Sequence, residues 1–194
     1  MIKKYIIYGY RLFWWSINLW RFKKLGMYSY INRALKIDGA KNISIGRKVT
    51  IQYKTWLASR PLTANNSPIL EIGDGSAIGN FNHIYSTNKI IIGKKVLTAD
   101  KVYISDNIHG FLNPLVPIMN QPIIQKNAVI IGDGTWLGEN VCVIGAKIGK
   151  NCVIGANSVV TKDIPDFCIA VGAPARVIKR YNFETQEWEK TNKK

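Results

Sequence analysis

VIIGDGTWLGENVCVIGAKIGKNCVIGANSVVTKDIP, residues 129–165, carries a repeat of about six residues. Apolar residues fall at Ile131, Leu137, Val143, Ile148, Ile154 and Val160, in steps of six, six, five, six and six. Gly132, Gly138, Gly149 and Gly155 directly follow four of them. That period is neither the 3.6 of a helix nor the 2 of a plain strand. It suits a coil of short strands with one corner per hexad. The branched aliphatic points inward at each corner and stacks on its equivalent one coil away, and the glycine lets the backbone turn. One coil cannot bury its own face, so many must stack. The same texture runs less regularly through LKIDGAKNISIGRKVTIQ (35–52), ILEIGDGSAIGN (69–80) and KIIIGKKVLTADKVYIS (89–105).

The rest of the composition narrows the partners. The chain has 194 residues, which suits one domain with short appendages, and 47% hydrophobic residues, enough for a core. Its 27 Lys and Arg against 12 Asp and Glu leave a net charge of +15, favouring anionic partners: nucleic acid, phosphate-bearing cofactors or acidic membrane surfaces. Cys142, Cys152 and Cys168 form no CxxC pair. With no secretory signal in view, they read as reduced thiols packed as small core residues in a cytoplasmic protein.

The N-terminal segment, 1–35, is set apart by its content. Up to residue 36 it carries ten of the 21 aromatics and eight basic residues, and no acid appears before Asp38. Ile6, Tyr10, Phe13, Trp14, Ile17 and Trp20 recur at helical spacing. Lys and Arg interrupt the apolar run too often for it to span a bilayer. Such a helix packs on its own domain or a neighbouring subunit, or lies in a membrane interface through residues 1–30.

The chemistry is concentrated in VYISDNIHGF, 102–111. A strand-like run ends at Asp106, and His109, one of only two histidines, follows three residues later. Imidazole is the side chain whose ordinary pKa suits proton transfer at neutral pH. The bland alternative is an ordinary loop histidine, with an aspartate that ends the strand for local reasons. After it, GFLNPLVPIMNQ (110–121) breaks the hexad rhythm and reads as a loop thrown out of the coil. GNFNHIYST (79–87) is a second polar cluster. Strand neighbours point to opposite faces, so only one of Asn82 and His83 can face a site there; His83 reads as structural.

These residues resemble the hexapeptide-repeat acyltransferases over roughly residues 36–180. The most specific piece is GTWLGENVCVIGAKIGKNCVIGANSVVTKDIPDFCIAVGAPARVIKR, 134–180. Its TKDIP and VGAPARVI are similar to the signature of the maltose, galactoside and polysaccharide O-acetyltransferase branch. The resemblance implies an all-β fold, a left-handed parallel β-helix, usually trimeric. It implies acetyl-CoA as co-substrate, no metal, and a sugar or surface-glycan hydroxyl as acceptor. It makes His109 the general base, with Asp106 orienting it or binding the acceptor. Asn82, Trp136, Met119 and Asn120 become acceptor contacts, the last two on a loop reaching a neighbouring subunit. Glu139, Ala156, Thr161, Lys162, Arg176 and Lys179 become the coenzyme A groove. Lys179 replaces a usual arginine and loses its bidentate fork. Glu139 replaces a small polar residue. The five-residue step after Val143 is one residue shorter than in relatives and predicts an altered turn.

Two other classes compete. An N-acetyltransferase on an amino nucleotide-sugar would use the same base. A non-enzymatic basic scaffold would explain the charge and the aromatic N-terminus but leave the D-x-x-H unexplained, and no nucleic-acid motif is present, so no nucleic acid is expected as a partner. A zinc enzyme needs three ligands, and two histidines 26 residues apart do not provide them. The segment 181–194 reads as a polar tail.

Overall fold

The computed structural model describes the backbone of residues 2–191 and the side chains of residues 6–191. Met1 and residues 192–194, parts of the expected N-terminal segment and tail, lie outside the described residues.

The hexads wind into a parallel β-helix with three flat faces. Face 1 stacks Lys24–Leu25, Ile43–Ile45, Ile69–Ile72, Lys89–Ile92, Val129–Ile131 and Lys147–Ile148. Face 2 stacks Tyr30–Ile31, Thr50–Ile51, Ala77–Ile78, Leu97–Thr98, Trp136–Leu137, Val153–Ile154 and Cys168–Val171. Face 3 stacks Lys36–Asp38, Trp56–Ser59, His83–Ser86, Tyr103–Ser105, Cys142–Ile144 and Val159–Val160. The chain visits the faces in the order 1, 2, 3 and repeats. In-register pairing makes columns. On face 3, Leu57, Ile84, Ile104, Val143 and Val160 form an inward column, all fully buried. Losing one, as in Ile104→Ala, costs about 2–5 kcal/mol, because the coils above and below hold the cavity open.

Between faces, side chains tie coil to coil. At the corner joining faces 1 and 2, the amides of Arg47, Lys94 and Lys150 donate to Asp74, Asp133 and Asp166 of the next coil, at 2.7–2.9 Å. The short step after Val143 is absorbed by Gly145 in the left-handed region, φ +57°, with its amide 3.0 Å from the Ser105 carbonyl.

Two boundaries differ from the sequence reading. The coil starts at Lys24 rather than residue 36, because Leu25 and Ile31 already fill inward positions. Helix α1 spans Ile2–Asn18 and packs across the first coils. The expected tail is not a free segment over its described part: Arg176–Asn182 runs antiparallel onto Cys168–Val171, and Glu187–Lys190 pairs outside it. Tyr181 packs edge-on against both Phe183 and Trp188, so this tail has an apolar reason to fold back. The cysteines are free; Cys152 and Cys168 are buried, but Cys142 faces outward in register with Tyr103 and Val159.

Candidate active site

His109 stands where the chain leaves the coil after face 3. Asn107–Ile108 and Ile124–Gln125 pair antiparallel and close the base of the loop between them. Gln125 pins that base: its Nε2 donates to the Asp106 carbonyl at 2.6 Å, and its Oε1 accepts from the hydroxyls of Thr63 and Thr87 at 2.8 and 2.9 Å. Gly110 answers a steric demand, since a Cβ there would lie 2.3 Å from the Pro122 carbonyl oxygen of the returning strand. The loop is stiffened from within by Gln121, whose Nε2 donates to the carbonyls of Asn113 and Val116, both at 2.8 Å. His109 is exposed, and among the described residues no hydrogen bond occupies its imidazole. Rigid support beneath a free, solvent-facing imidazole is what a proton acceptor needs.

Asp106 corrects the expectation set for it. Its side chain points into the β-helix and is fully buried. Oδ1 accepts from the Thr87 amide at 2.8 Å and the Asn107 side-chain amide at 3.1 Å. Oδ2 accepts from the amides of Asn88 and Lys89 at 2.8 and 2.6 Å, with the Ser86 hydroxyl 3.1 Å away. None of these bonds reaches His109. The carboxylate instead shapes the 86–89 corner under the loop, because three converging amides there need an acceptor.

Asn82 also turns inward. It occupies the interior column of Thr55, Val102, Val141 and Ser158, one residue before the outward column of Trp56, His83, Tyr103, Cys142 and Val159. Its Nδ2 donates to the Ala99 carbonyl at 3.0 Å, and its Oδ1 accepts from the Thr98 hydroxyl at 3.2 Å. A second Nδ2 hydrogen goes to the Asn80 carbonyl at 3.2 Å, so both amide donors are spent inside the coil and the buried side chain is turned away from a ligand on the surface. Alternation then sends His83 outward, where it stacks on Trp56 at 4.3 Å with Tyr85 and Tyr103 edge-on. Burial pushes the His83 imidazole below its ordinary pKa, and pushes the Tyr85 phenol and all three thiols up.

The other expected site residues divide between two edges of face 3. Trp136 points outward from face 2 beside Leu97, both about half exposed (45% and 49%). Glu139 and Ala156 lie on stacked turns at the corner between faces 2 and 3, where the Asn157 amide donates to the Glu139 carbonyl at 2.8 Å. Glu139 is paired with Lys101 at 3.0 Å on the surface. Thr161 and Lys162 are exposed on the far edge, where face 3 gives way to face 1, the same edge as the His109 loop two coils earlier. Met119 and Asn120 sit on a short helical turn at the loop tip, with Met119 86% exposed. Arg176 is exposed and Lys179 half-buried on the C-terminal hairpin. Gln125, Thr63 and Thr87 were not legible as site residues. The only sequence signal was that the hexad rhythm resumes just after IIQK. Among the described residues, no group of three or more His, Cys, Asp or Glu could hold a metal ion.

The class to which the chain belongs begins with its architecture, a parallel β-helix whose coil is interrupted by a histidine-bearing loop. Residues 128–162 match the family model described as the hexapeptide repeat of succinyl-transferase. The chain is 39% identical over 136 residues to the Escherichia coli K12 protein named "Putative lipopolysaccharide biosynthesis O-acetyl transferase WbbJ", an alignment covering 66% of this chain and 69% of that one. The structure resembles a maltose O-acetyltransferase of Clostridium difficile 630, with TM-score 0.52 and 29% identity over 78% of this chain and 68% of that one. It also resembles a galactoside acetyltransferase in complex with coenzyme A, with TM-score 0.57 and 26% identity over 84% and 70%. The chain therefore belongs to the hexapeptide-repeat acyltransferases and folds, as expected, as a left-handed β-helix of the kind found in the maltose and galactoside branch.

Proposed function

We propose that this protein moves an acetyl group from acetyl-CoA to a hydroxyl of a sugar within a surface glycan, with His109 as general base. The observation that carries the reading is an exposed imidazole, without a hydrogen-bond partner among the described residues, on a pinned loop base, in a chain with relatives named O-acetyltransferases. The neutral imidazole takes the hydroxyl proton as the sugar oxygen attacks the thioester carbonyl. The tetrahedral intermediate collapses, the C–S bond breaks, and the departing thiolate recovers the proton from the imidazolium. No covalent enzyme intermediate is needed, because the thioester is already activated.

The division of the site supports a trimer. His109, Thr161 and Lys162 lie on one edge of face 3; Trp136, Glu139 and Ala156 lie towards the other. One copy offers each half to a neighbour, so the groove between adjacent copies holds the coenzyme arm. Lys162, Arg176 and Lys179 supply charge for its phosphates. The loop tip, with Met119 and Asn120, closes over the neighbour's acceptor. Asp106 is a positioning residue in this scheme, acting through the corner beneath the loop. The reading places the enzyme in the cytoplasm, with the basic N-terminal segment holding it at a membrane face.

Thiol release from acetyl-CoA against a panel of sugars, nucleotide-sugars and glycan fragments tests the assignment. His109→Ala is expected to lower kcat by about 10²–10⁴-fold with coenzyme A affinity unchanged. Transfer that survives in His109→Ala defeats it. Turnover confined to an amino sugar would move the acceptor atom from oxygen to nitrogen.

A further inference from the structure

We propose that α1 is a lipid-surface anchor: Ile6, Tyr10, Phe13 and Ile17, with Trp20 just past the helix, lie in the interface of an anionic bilayer, and the acceptor is a glycan carried on a membrane lipid. The second half rests on the acetyl-transfer reading; the first does not.

The helix has two stripes, and the structure shows which one the fold uses. Arg11, Trp15 and Asn18 share the inner stripe. Trp15 Nε1 donates to the Leu25 carbonyl at 2.9 Å, and the Arg11 guanidinium donates to the Thr50 hydroxyl at 2.8 Å. Trp14 meets Tyr30 edge-on at 5.5 Å. Those contacts dock the helix on the first two coils. The outer stripe recurs at steps of four, three, four and three, yet most of it is left in solvent: Ile6 is 65%, Phe13 63%, Ile17 53% and Trp20 77% exposed, and Tyr10, at the stripe's inner border, meets Tyr30 edge-on at 5.4 Å while staying 54% exposed. A helix already held by one side has no folding reason to be aromatic on the other.

Charge chooses the occupant. The first 37 residues carry eight Lys and Arg and no Asp or Glu, and Arg21, Lys23 and Lys24 are exposed beyond the helix end. Two such surfaces facing each other in an assembly of this chain would repel. An anionic headgroup layer complements them, and the stripe supplies the apolar insertion that such binding needs as its second signal. Tyr and Trp suit that depth because they carry a polar atom on an apolar ring. Among the described residues, no helix is long and apolar enough to cross a membrane, so α1 lies in the plane of the interface. The lysines and arginines meet phosphate while the stripe sinks below it.

The test is co-sedimentation of the full chain with vesicles of phosphatidylcholine alone or mixed with phosphatidylglycerol. The wild type is compared with Phe13→Glu/Ile17→Glu and, as a second variant, Ile6→Glu. The expected result is binding to the mixed vesicles only, weakened by salt and reduced at least about tenfold in the double variant. Melting temperature and coenzyme A binding should stay unchanged, since these side chains touch neither core nor groove. Equal binding by wild type and both variants, or by neutral and anionic vesicles, overturns the anchor. So does a wild type that ignores vesicles while the double variant lowers the assembly's mass by light scattering, which would give the stripe to a second copy. Wild type that binds vesicles but releases no thiol with any lipid-linked glycan overturns the acceptor half alone.

Discussion

Removing the Asp106 carboxylate should unfold the protein more readily while keeping kcat within about tenfold of the wild type. In Asp106→Ala, the amides of Thr87, Asn88 and Lys89 and the side-chain amide of Asn107 lose their acceptor. A buried donor left unsatisfied costs about 1–3 kcal/mol, and water entering the space left by the carboxylate recovers part of that. The expected loss is about 3–5 kcal/mol, in line with breaking a buried hydrogen-bonded charge. For a chain of this size that is a melting-temperature drop of roughly 6–20 °C. Asp106→Asn keeps the shape and one oxygen and should lose less. Gln125 holds the loop base through the Asp106 main-chain carbonyl, which both variants retain. Below the melting transition, kcat should therefore fall less than about tenfold, far short of the loss on removing a general base. Thermal melting followed by circular dichroism, paired with thiol release, measures both quantities. Unchanged melting with kcat reduced as far as in His109→Ala would return Asp106 to the reacting groups.

Gly110→Ala places a methyl 2.3 Å from the Pro122 carbonyl, so one side of the loop base must shift; the cost is about 1–3 kcal/mol, with a kcat loss that melting data at the assay temperature separate from unfolding. His83 titrates against folding. Burial lowers its folded pKa below its unfolded value, so the unfolded chain binds more protons in the window between them. Its contribution is present above the ordinary histidine range and is lost as pH falls through that range towards the lower folded value. His83→Phe, which keeps the stack on Trp56, should flatten the acid side of the stability profile measured by denaturant titration. A variant profile parallel to the wild type's would show that other groups set the slope.

Much of the fold was legible because a β-helix repeats its physics every six residues. Ile131, Leu137, Val143, Ile148 and Ile154 announce their inward positions by spacing alone, and each is buried. The loop at 110–121 was legible for the converse reason, since the rhythm stops and two prolines appear. His109 could be singled out because so few residue types perform its chemistry. Asp106 and Asn82 break a premise that holds for most sequences, that polar residues near a site face the site. Here the interior corners carry turn amides that need acceptors and donors, so a buried Asp and a buried Asn are the economical solution.

Period and residue type along the chain are enough to say that it coils, where the coil is interrupted, and which histidine stands at the interruption. Those are local properties of period and residue type. Tertiary structure decided which way each polar residue points and what the ends of the chain do. The aromatic segment 1–35 contains a helix whose docked stripe is the less obvious one, because Arg11 and Trp15 found hydrogen-bond partners on the first two coils. The residues after 180 became a hairpin because Cys168–Val171 left a strand edge open to pair with. Arg11 and Thr50 stand 39 residues apart, beyond the reach of any local pattern, and the hairpin, though local, lies outside the hexad rhythm that marks the coils.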